Sequence, residues 1–400
     1  MTSRSSGTDG PPAPAARVLA SVRAGRDEAL TRPVHDDRTL AVLGLALGVC
    51  FSICFVTGVL SHLIQNPPGW FTWSPNPAGG YRITQGLHVA TGIASIPLLA
   101  AKLWAAGPRL ISEPAVRNAA HALERISLFP LVGGSIFLLA TGLVNLTKWY
   151  PWPFGFIQGH FAAAWITIGA LVIHILAKVH ITRDALRREP SGVARVVPEP
   201  EAHGGRRGFL AAVGAGAGAV TLFTVGQTVG PLKELALLAP RKPDVGPQGF
   251  PVNRTAKAAG VTAEEGGAGY RLSVTGAVAD EGSYSLADLA AMTQREATLP
   301  IACVEGWSAS ARWRGVPVRT LLELAGASAD ATVRVESLQK SGSYKTSELN
   351  PSQIADPDSM LALEVNGEPL HLDHGAPLRL IGPNRPGVQQ TKWVTSVVVL

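Results

Sequence analysis

Cysteine is nearly absent from this chain: 400 residues contain three, Cys50 and Cys54 in an apolar run and Cys303 alone in the C-terminal part. That scarcity excludes a disulfide framework. It also argues against a structural zinc site, because the C-terminal part offers only His371 and His374 besides Cys303. Charge is scarce as well. Only 16% of residues are Asp, Glu, Lys or Arg while 46% are hydrophobic, which excludes an ordinary soluble protein along the whole length and leaves room for two or three domains. No internal repeat is evident.

Long apolar runs are plentiful. Residues 40–60, 83–101, 126–147, 149–177 and 208–232 each lack Asp, Glu, Lys and Arg, and each reaches or approaches the ~20 residues that cross hydrocarbon as a helix. The basic residues lie between them unevenly. The tail before the first run, the second gap and the fourth gap hold seventeen Lys and Arg, whereas the first and third gaps hold only Arg82 and Lys148. This asymmetry predicts a multi-pass plasma-membrane protein with a cytoplasmic N-terminus and, after five crossings, an extracytoplasmic C-terminal domain. The sparse gaps carry Trp70, Phe71 and Trp73 in one and Trp149, Tyr150 and Trp152 in the other, as interface anchors. The net charge of +6 therefore reports topology, and no nucleic-acid partner is expected.

Residues 1–34 form a Ser-, Pro-, Gly- and Arg-rich tail expected to be disordered and cytoplasmic, without the apolar core of a cleavable signal peptide. Residues 35–181 form the four-span membrane domain, 182–207 a cytoplasmic linker and 208–232 a fifth span. From 233 to 400 the pattern changes to short alternating segments such as Tyr270–Val278, Thr332–Ser337 and Lys392–Leu400, with helical pieces at Leu286–Met292 and Val318–Leu324. The fold class is multidomain: an all-α transmembrane bundle of four helices plus one, then an α+β domain on a mixed sheet.

Histidine inside a bilayer usually faces a bundle interior and has a function. His160 and His174 lie fourteen residues apart on the fourth span, close to four turns, so they share one face at about 21 Å. His88, near the outer end of the second span, lies at the depth of His160. The direct reading is an outer haem b between His88 and His160, with an inner one on His174. The inner partner is His35 or His121, with His35 preferred; His180 shares a helix with His174 and cannot ligate the opposite side of the ring. His62 could replace His88 or sit at the interface. This placement resembles the cytochrome b subunits of membrane-bound hydrogenases and formate dehydrogenases. The resemblance implies one or two b haems, and bis-histidine ligation implies electron transfer rather than oxygen chemistry.

Gly205-Arg-Arg-Gly-Phe-Leu210 precedes the fifth span. A basic pair is an ordinary cytoplasmic flank, yet Arg206-Arg207 followed by a Gly- and Ala-rich apolar stretch resembles a twin-arginine export signal, a route that moves folded, cofactor-loaded domains.

Cys303 is either a packed, inert thiol or a ligand. A lone thiolate suits a metal that brings most of its own ligands, as molybdenum in molybdopterin does. Cys303-Val-Glu-Gly-Trp-Ser308, then Trp313-x-Gly-x-Pro317 and Leu321-Leu322, resembles the molybdenum-binding segment of the sulfite oxidase superfamily, in particular the catalytic subunits of periplasmic methionine sulfoxide reductases. His374-Gly-Ala-Pro-Leu-Arg379 with Pro383, Gly387 and Lys392-Trp393 matches that family's second pterin-binding region. The resemblance, over about 250–400, implies that Cys303 ligates molybdenum and that Ser337 stands near the metal. Arg379 and Lys392 would hold the pterin and its phosphate, beside Gln390, Thr391, His374 and, upstream, Asn253. Arg312 and Arg314 either line an anion pocket for an oxyanion substrate or are solvated. The chain stops without the dimerisation domain of sulfite oxidases, so dimerisation by that means is not expected.

Together these readings predict a membrane-bound molybdopterin oxidoreductase. It would exchange an oxygen atom with an S-oxide or small oxyanion and pass electrons through b haems to or from quinone. The rival reading is a non-catalytic electron-transfer or sensory cytochrome with a C-terminal ligand-binding domain.

Overall fold

The computed structural model describes residues 20–21, 24–29, 32–110, 118–187, 205–342 and 344–400. The disordered tail and the cytoplasmic linker expected from the sequence fall largely outside the described residues, as do Arg4, Arg17, Arg23, Arg117, Arg188 and Arg195.

The apolar runs form five helices: α1 (Asp37–Gln65), α2 (Gly80–Leu110), α3 (Ala119–Thr147), α4 (Phe156–Arg187) and α5 (Arg206–Val225). All five are long and apolar enough to cross a membrane. They leave large apolar side chains such as Val56, Phe129, Trp165 and Leu176 exposed, the pattern of helices solvated by hydrocarbon. Two boundaries differ from the sequence expectation. α4 starts at Phe156 and not at 149, because Pro151 and Pro153 each remove a backbone donor and Lys148 turns the chain at φ 57°. α5 ends at Val225 and not at 232; Pro231 opens a 3-10 turn over Gly230–Leu235.

The chain divides into two compact units, one of residues 1–50, 95–136 and 165–217, the other of 51–94, 137–164 and 218–400. In the first, Leu43, Ala101 and Ala105 pack with Phe209, and ion pairs join helix ends: Asp37 with Arg109, Asp36 with Arg206, and Glu124 with Lys178.

The second unit holds the α+β domain. One sheet runs β2 (Gly282–Tyr284), β1 (Leu272–Gly276), β10 (Val394–Val399), β5 (Val333–Ser337), β6 (Thr346–Leu349), with β1 and β10 parallel and the other neighbours antiparallel. The other runs β3 (Arg295–Ala302), β4 (Ser308–Pro317), β7 (Met360–Val365), β8 (Glu368–Pro369), with β9 (Arg379–Ile381) also on β7. Helices Leu286–Ala291 and Val318–Leu324 fall where the sequence places them. Alternation decides the faces of β4. Ala311 and Trp313 are buried, while Ser310, Arg312 and Arg314 point to solvent.

Candidate active site

β3 and β4 form an antiparallel hairpin whose last pair is Ala302 and Ser308, so Cys303 opens the turn. The Cys303 amide donates to the Trp307 carbonyl at 2.9 Å and the Gly306 amide to the Cys303 carbonyl at 3.0 Å. Gly306 is required twice over. Its φ is +88°, and a Cβ there would come within 2.7 Å of Leu146. Cys303 is 1% exposed and unpaired. Burial, then the Glu305 carboxylate, push its thiol up, while Lys148 and Lys392 pull it the other way. A metal taken by this sulfur therefore displaces a proton.

Three further buried cations surround the second motif: Arg379, Arg385 and Lys392. Among the described residues none of the three has a carboxylate within salt-bridge distance. Arg379 lies over the Trp313 ring at 5.4 Å and donates from Nη1 to the His374 carbonyl. Arg385 donates to Gln353, Glu348 and Gln389 oxygens, and the Lys392 ammonium donates to the carbonyls of Arg254 and Asp373. Burial pushes Arg379 down to about 9 and Arg385 to about 10, so both stay cationic at neutral pH. Burial and the Arg379 charge push Lys392 well below the usual lysine range. Such a cluster is costly without an anion to complete it. Consistent with a missing ligand, the Nε atoms of Arg379 and Arg385 and Oε1 of Gln390 are buried without a hydrogen-bond partner. The donor set suits a phosphate and a pterin edge.

His374 is buried against Phe250, with ring centroids 3.8 Å apart. Its Nε2 lies 2.7 Å from the Pro247 carbonyl, which requires a proton on Nε2, and burial lowers its pKa to about 3, so the ring is neutral. Gln390 donates to the Gly382 carbonyl at 3.3 Å and Thr391 meets Ser347 at 2.6 Å. Ser337 donates to the Lys392 carbonyl at 2.7 Å and accepts from the Gln339 amide, so its hydroxyl braces the lysine backbone. The Asn253 carbonyl accepts from Lys148.

Arg312 and Arg314 are not brought to Cys303. They lie on the solvent face of β4, paired with Glu296 at 3.7 Å and Glu364 at 2.6 Å, because strand alternation turns Trp313 inward and them outward. This corrects the pocket-lining reading in favour of the solvated one. Sequence reasoning missed Arg385, Glu305 and Lys148. Glu305 pairs with Lys148 at 3.0 Å and accepts from the Trp307 indole at 3.1 Å. A lysine in an otherwise uncharged outer gap was the available signal.

In the same unit, the rings of His88 and His160 have centroids 6.4 Å apart. His88 Nδ1 is 2.9 Å from the Cys54 carbonyl and 3.1 Å from the Thr57 hydroxyl, and His160 Nδ1 is 3.0 Å from the Thr141 hydroxyl. In the other unit, His35 Nδ1 is 2.9 Å from the Ala105 carbonyl, while His174 Nδ1 is buried without a partner.

The cationic cluster has one prediction of its own. Lys392 has a folded pKa lowered from its unfolded value, so between the two the unfolded chain binds more protons and stability rises with pH. The thermal midpoint of cofactor-free protein is expected to climb as the pH rises towards about 10, the unfolded lysine value, through the window that the lowered folded-state pKa opens below it. Inorganic phosphate should raise the midpoint at neutral pH and flatten this slope. A midpoint that falls over the same range, or ignores phosphate, contradicts the reading of Lys392 as a buried, anion-seeking cation.

Residues 259–400 match the family described as oxidoreductase molybdopterin binding domain. The chain is similar to a putative protein-methionine-sulfoxide reductase subunit YedZ1 of Azospira oryzae, 33% identical over 33% of this chain and 49% of that protein. It is also similar to sulfite oxidase of Arabidopsis thaliana, 29% identical over 33% of this chain and 42% of that one. The chain thus spans about half the length of the first relative and less of the second. Among solved structures, the sulfane dehydrogenase SoxCD from Paracoccus pantotrophus overlaps 33% of this chain and 38% of its own at 26% identity with a TM-score of 0.31, too low to support a fold argument. The C-terminal domain of this chain is an oxidoreductase molybdopterin-binding domain of the sulfite oxidase superfamily.

Proposed function

We propose that the protein is a membrane-bound molybdopterin-dependent oxidoreductase that exchanges an oxygen atom with a sulfoxide- or sulfite-type substrate at a molybdenum centre that Cys303 would ligate. In this reading, b haems held from α2, α4 and the segment before α1 would carry electrons to or from quinone. The observation that carries it is the buried, unpaired thiol of Cys303 in one domain with three buried cations that, among the described residues, have no carboxylate within salt-bridge distance.

When bound, the molybdenum centre supplies the two-electron oxygen-atom chemistry. The chain supplies the rest. Cys303 gives one thiolate ligand, held by the hairpin turn. Arg379 and Lys392 hold the pterin phosphate, and Arg385 adds a third positive charge. His374 offers a neutral imidazole to the pterin edge, Gln390 and Thr391 line the same strand approach, and Asn253 lies upstream. Ser337 keeps Lys392 in register. Burial of Trp307 and Trp313 at 2% and 0% exposure keeps water away from the thiolate.

The outer histidines support the electron route. His88 and His160, whose ring centroids lie 6.4 Å apart, are the residues that would hold an outer b haem. Their Nδ1 atoms are tied to helix groups, which leaves Nε2 for the iron. His174 with His35 is the proposed inner pair. The basic-residue asymmetry supports a cytoplasmic N-terminus and an extracytoplasmic C-terminal domain. Arg206-Arg207, at the start of α5, supports export of that domain after folding around its cofactor.

Elemental analysis of purified full-length protein tests the core claim. About one molybdenum per chain, with haem iron, is expected. Zinc or copper alone, or no metal in protein from a molybdopterin-producing host, sinks the enzyme reading and favours the non-catalytic cytochrome.

A further inference from the structure

The turn that carries Cys303 does not satisfy its own backbone. The Val304 carbonyl accepts from Asn145 Nδ2 at 3.0 Å and from Gln85 Nε2 at 3.4 Å. The Gly306 carbonyl accepts from the Thr228 hydroxyl, and the Ser308 amide donates to the Gln227 carbonyl at 2.8 Å. These partners come from α2, α3 and the segment after α5, all within one compact unit. Gln85 and Asn145 are buried at 8% and 7% exposure, and Asn145 Oδ1 accepts from the Tyr150 hydroxyl at 2.7 Å, which turns its Nδ2 towards Val304.

The same two side chains sit one helical turn from the outer histidine sites. Gln85 precedes His88 by three residues on α2. Asn145 follows Thr141, the hydroxyl partner of His160, by four on α3. One carbonyl, a single peptide from the Cys303 sulfur, is therefore bonded to both helices.

We propose that Gln85 and Asn145 are positioning residues: a carboxamide clamp that fixes the Val304–Glu305 peptide, next after the one joining Cys303 to Val304, and would make the hydrogen-bonded connection for single electrons between a metal at Cys303 and a haem at His88 and His160. The proposal rests on the function proposed above. For each sulfoxide reduced, two electrons would cross one at a time from the haem side to the metal side, and two protons from solvent would leave with the oxygen atom as water while the sulfide is released; oxidation of a sulfite-type substrate would run the same balance in reverse, with water supplying the oxygen. No protein bond breaks. Both amides serve one carbonyl, so either alone keeps it satisfied, and losing both strands a buried acceptor.

The test uses full-length protein loaded with both cofactors, as Gln85→Leu, Asn145→Leu and the double variant. Haem is first reduced, and its reoxidation is followed after mixing with dimethyl sulfoxide. The double variant is expected to slow reoxidation by about tenfold or more while the single variants lose less. Molybdenum and haem contents should hold, and the molybdenum electron paramagnetic resonance signal should shift. In cofactor-free double variant, Cys303 should alkylate faster than in the parent. If the double leucine variant sheds a cofactor, the pair Gln85→Leu with Asn145→Asp, which keeps the acceptor for Tyr150 and removes both donors to Val304, is read the same way. Unchanged reoxidation and an unchanged signal in a variant holding both cofactors overturn the clamp. A parent chain without haem overturns the electron route instead, and the alkylation rate then still decides whether the amides hold the turn.

Discussion

Cys303→Ser is expected to lower substrate turnover by at least about a hundredfold, since even groups behind a metal's ligands are worth 10–100-fold. The reduced haem spectrum should be unaffected. The substitution changes one sulfur to oxygen inside a turn whose bonds are all backbone at that residue, namely Cys303 amide to Trp307 carbonyl and Gly306 amide to Cys303 carbonyl. Serine can make both, so the hairpin and its buried tryptophans should survive. What disappears is the soft thiolate. A hydroxyl does not ionise near neutral pH, and oxygen is a harder ligand than sulfur. In the proposed reading Arg379 and Lys392 would grip the other end of the cofactor, so the pterin should remain measurable after denaturing extraction. Turnover within about twofold of the parent would remove Cys303 from the chemistry, and loss of the haem spectrum would mean that the variant has failed as a fold rather than as a catalyst.

Much of this site was legible because its signals are chemical and local. Five uncharged runs predict five helices by length alone, and Cys303 is conspicuous by having no partner in sequence. The Arg379 and Lys392 assignments came through a motif resemblance, and the structure adds their burial and the lack of a carboxylate. Other residues were illegible for stated physical reasons. Arg312 and Arg314 flank a buried tryptophan, and only the parity of β4, set by pairing with β3, decides that they face solvent. Arg385 looks like any loop arginine until the chain wraps Gln353, Glu348 and Gln389 around it. Gln85 and Asn145 are single amides in apolar helices, and their meaning depends on a carbonyl 219 and 159 residues away. Helix ends were misjudged where uncharged residues continue without helical geometry, as from Trp149 to Gly155.

His160→Ala is expected to remove one haem and to raise the ratio of dye-linked to quinol-linked turnover by about tenfold or more, as loss of a metal ligand should. In the proposed route dye would deliver electrons to the molybdenum end directly, whereas quinol would have to use the haems. The geometry makes the prediction specific to the outer site. His160 lies 6.4 Å from His88 by ring centroids, and both rings are fixed from behind, His160 by Thr141 and His88 by the Cys54 carbonyl and Thr57. The space in front is guarded by small residues: a Cβ on Gly58 would stand 3.2 Å from His88 Cε1. Gly58→Ala should therefore rotate the His88 ring and shift the outer haem's potential without removing it, a graded effect beside the all-or-none loss in His160→Ala. His35 and His174 belong to the other compact unit, so the inner haem should keep its spectrum in both variants. Substituting His174 should do the reverse. The inner choice is settled by His35→Ala against His121→Ala, because only the true partner of His174 should cost the second haem. A reduced b-type spectrum that is intact in His160→Ala would refute the outer site, and would leave the buried histidine pair as a structural contact between α2 and α4.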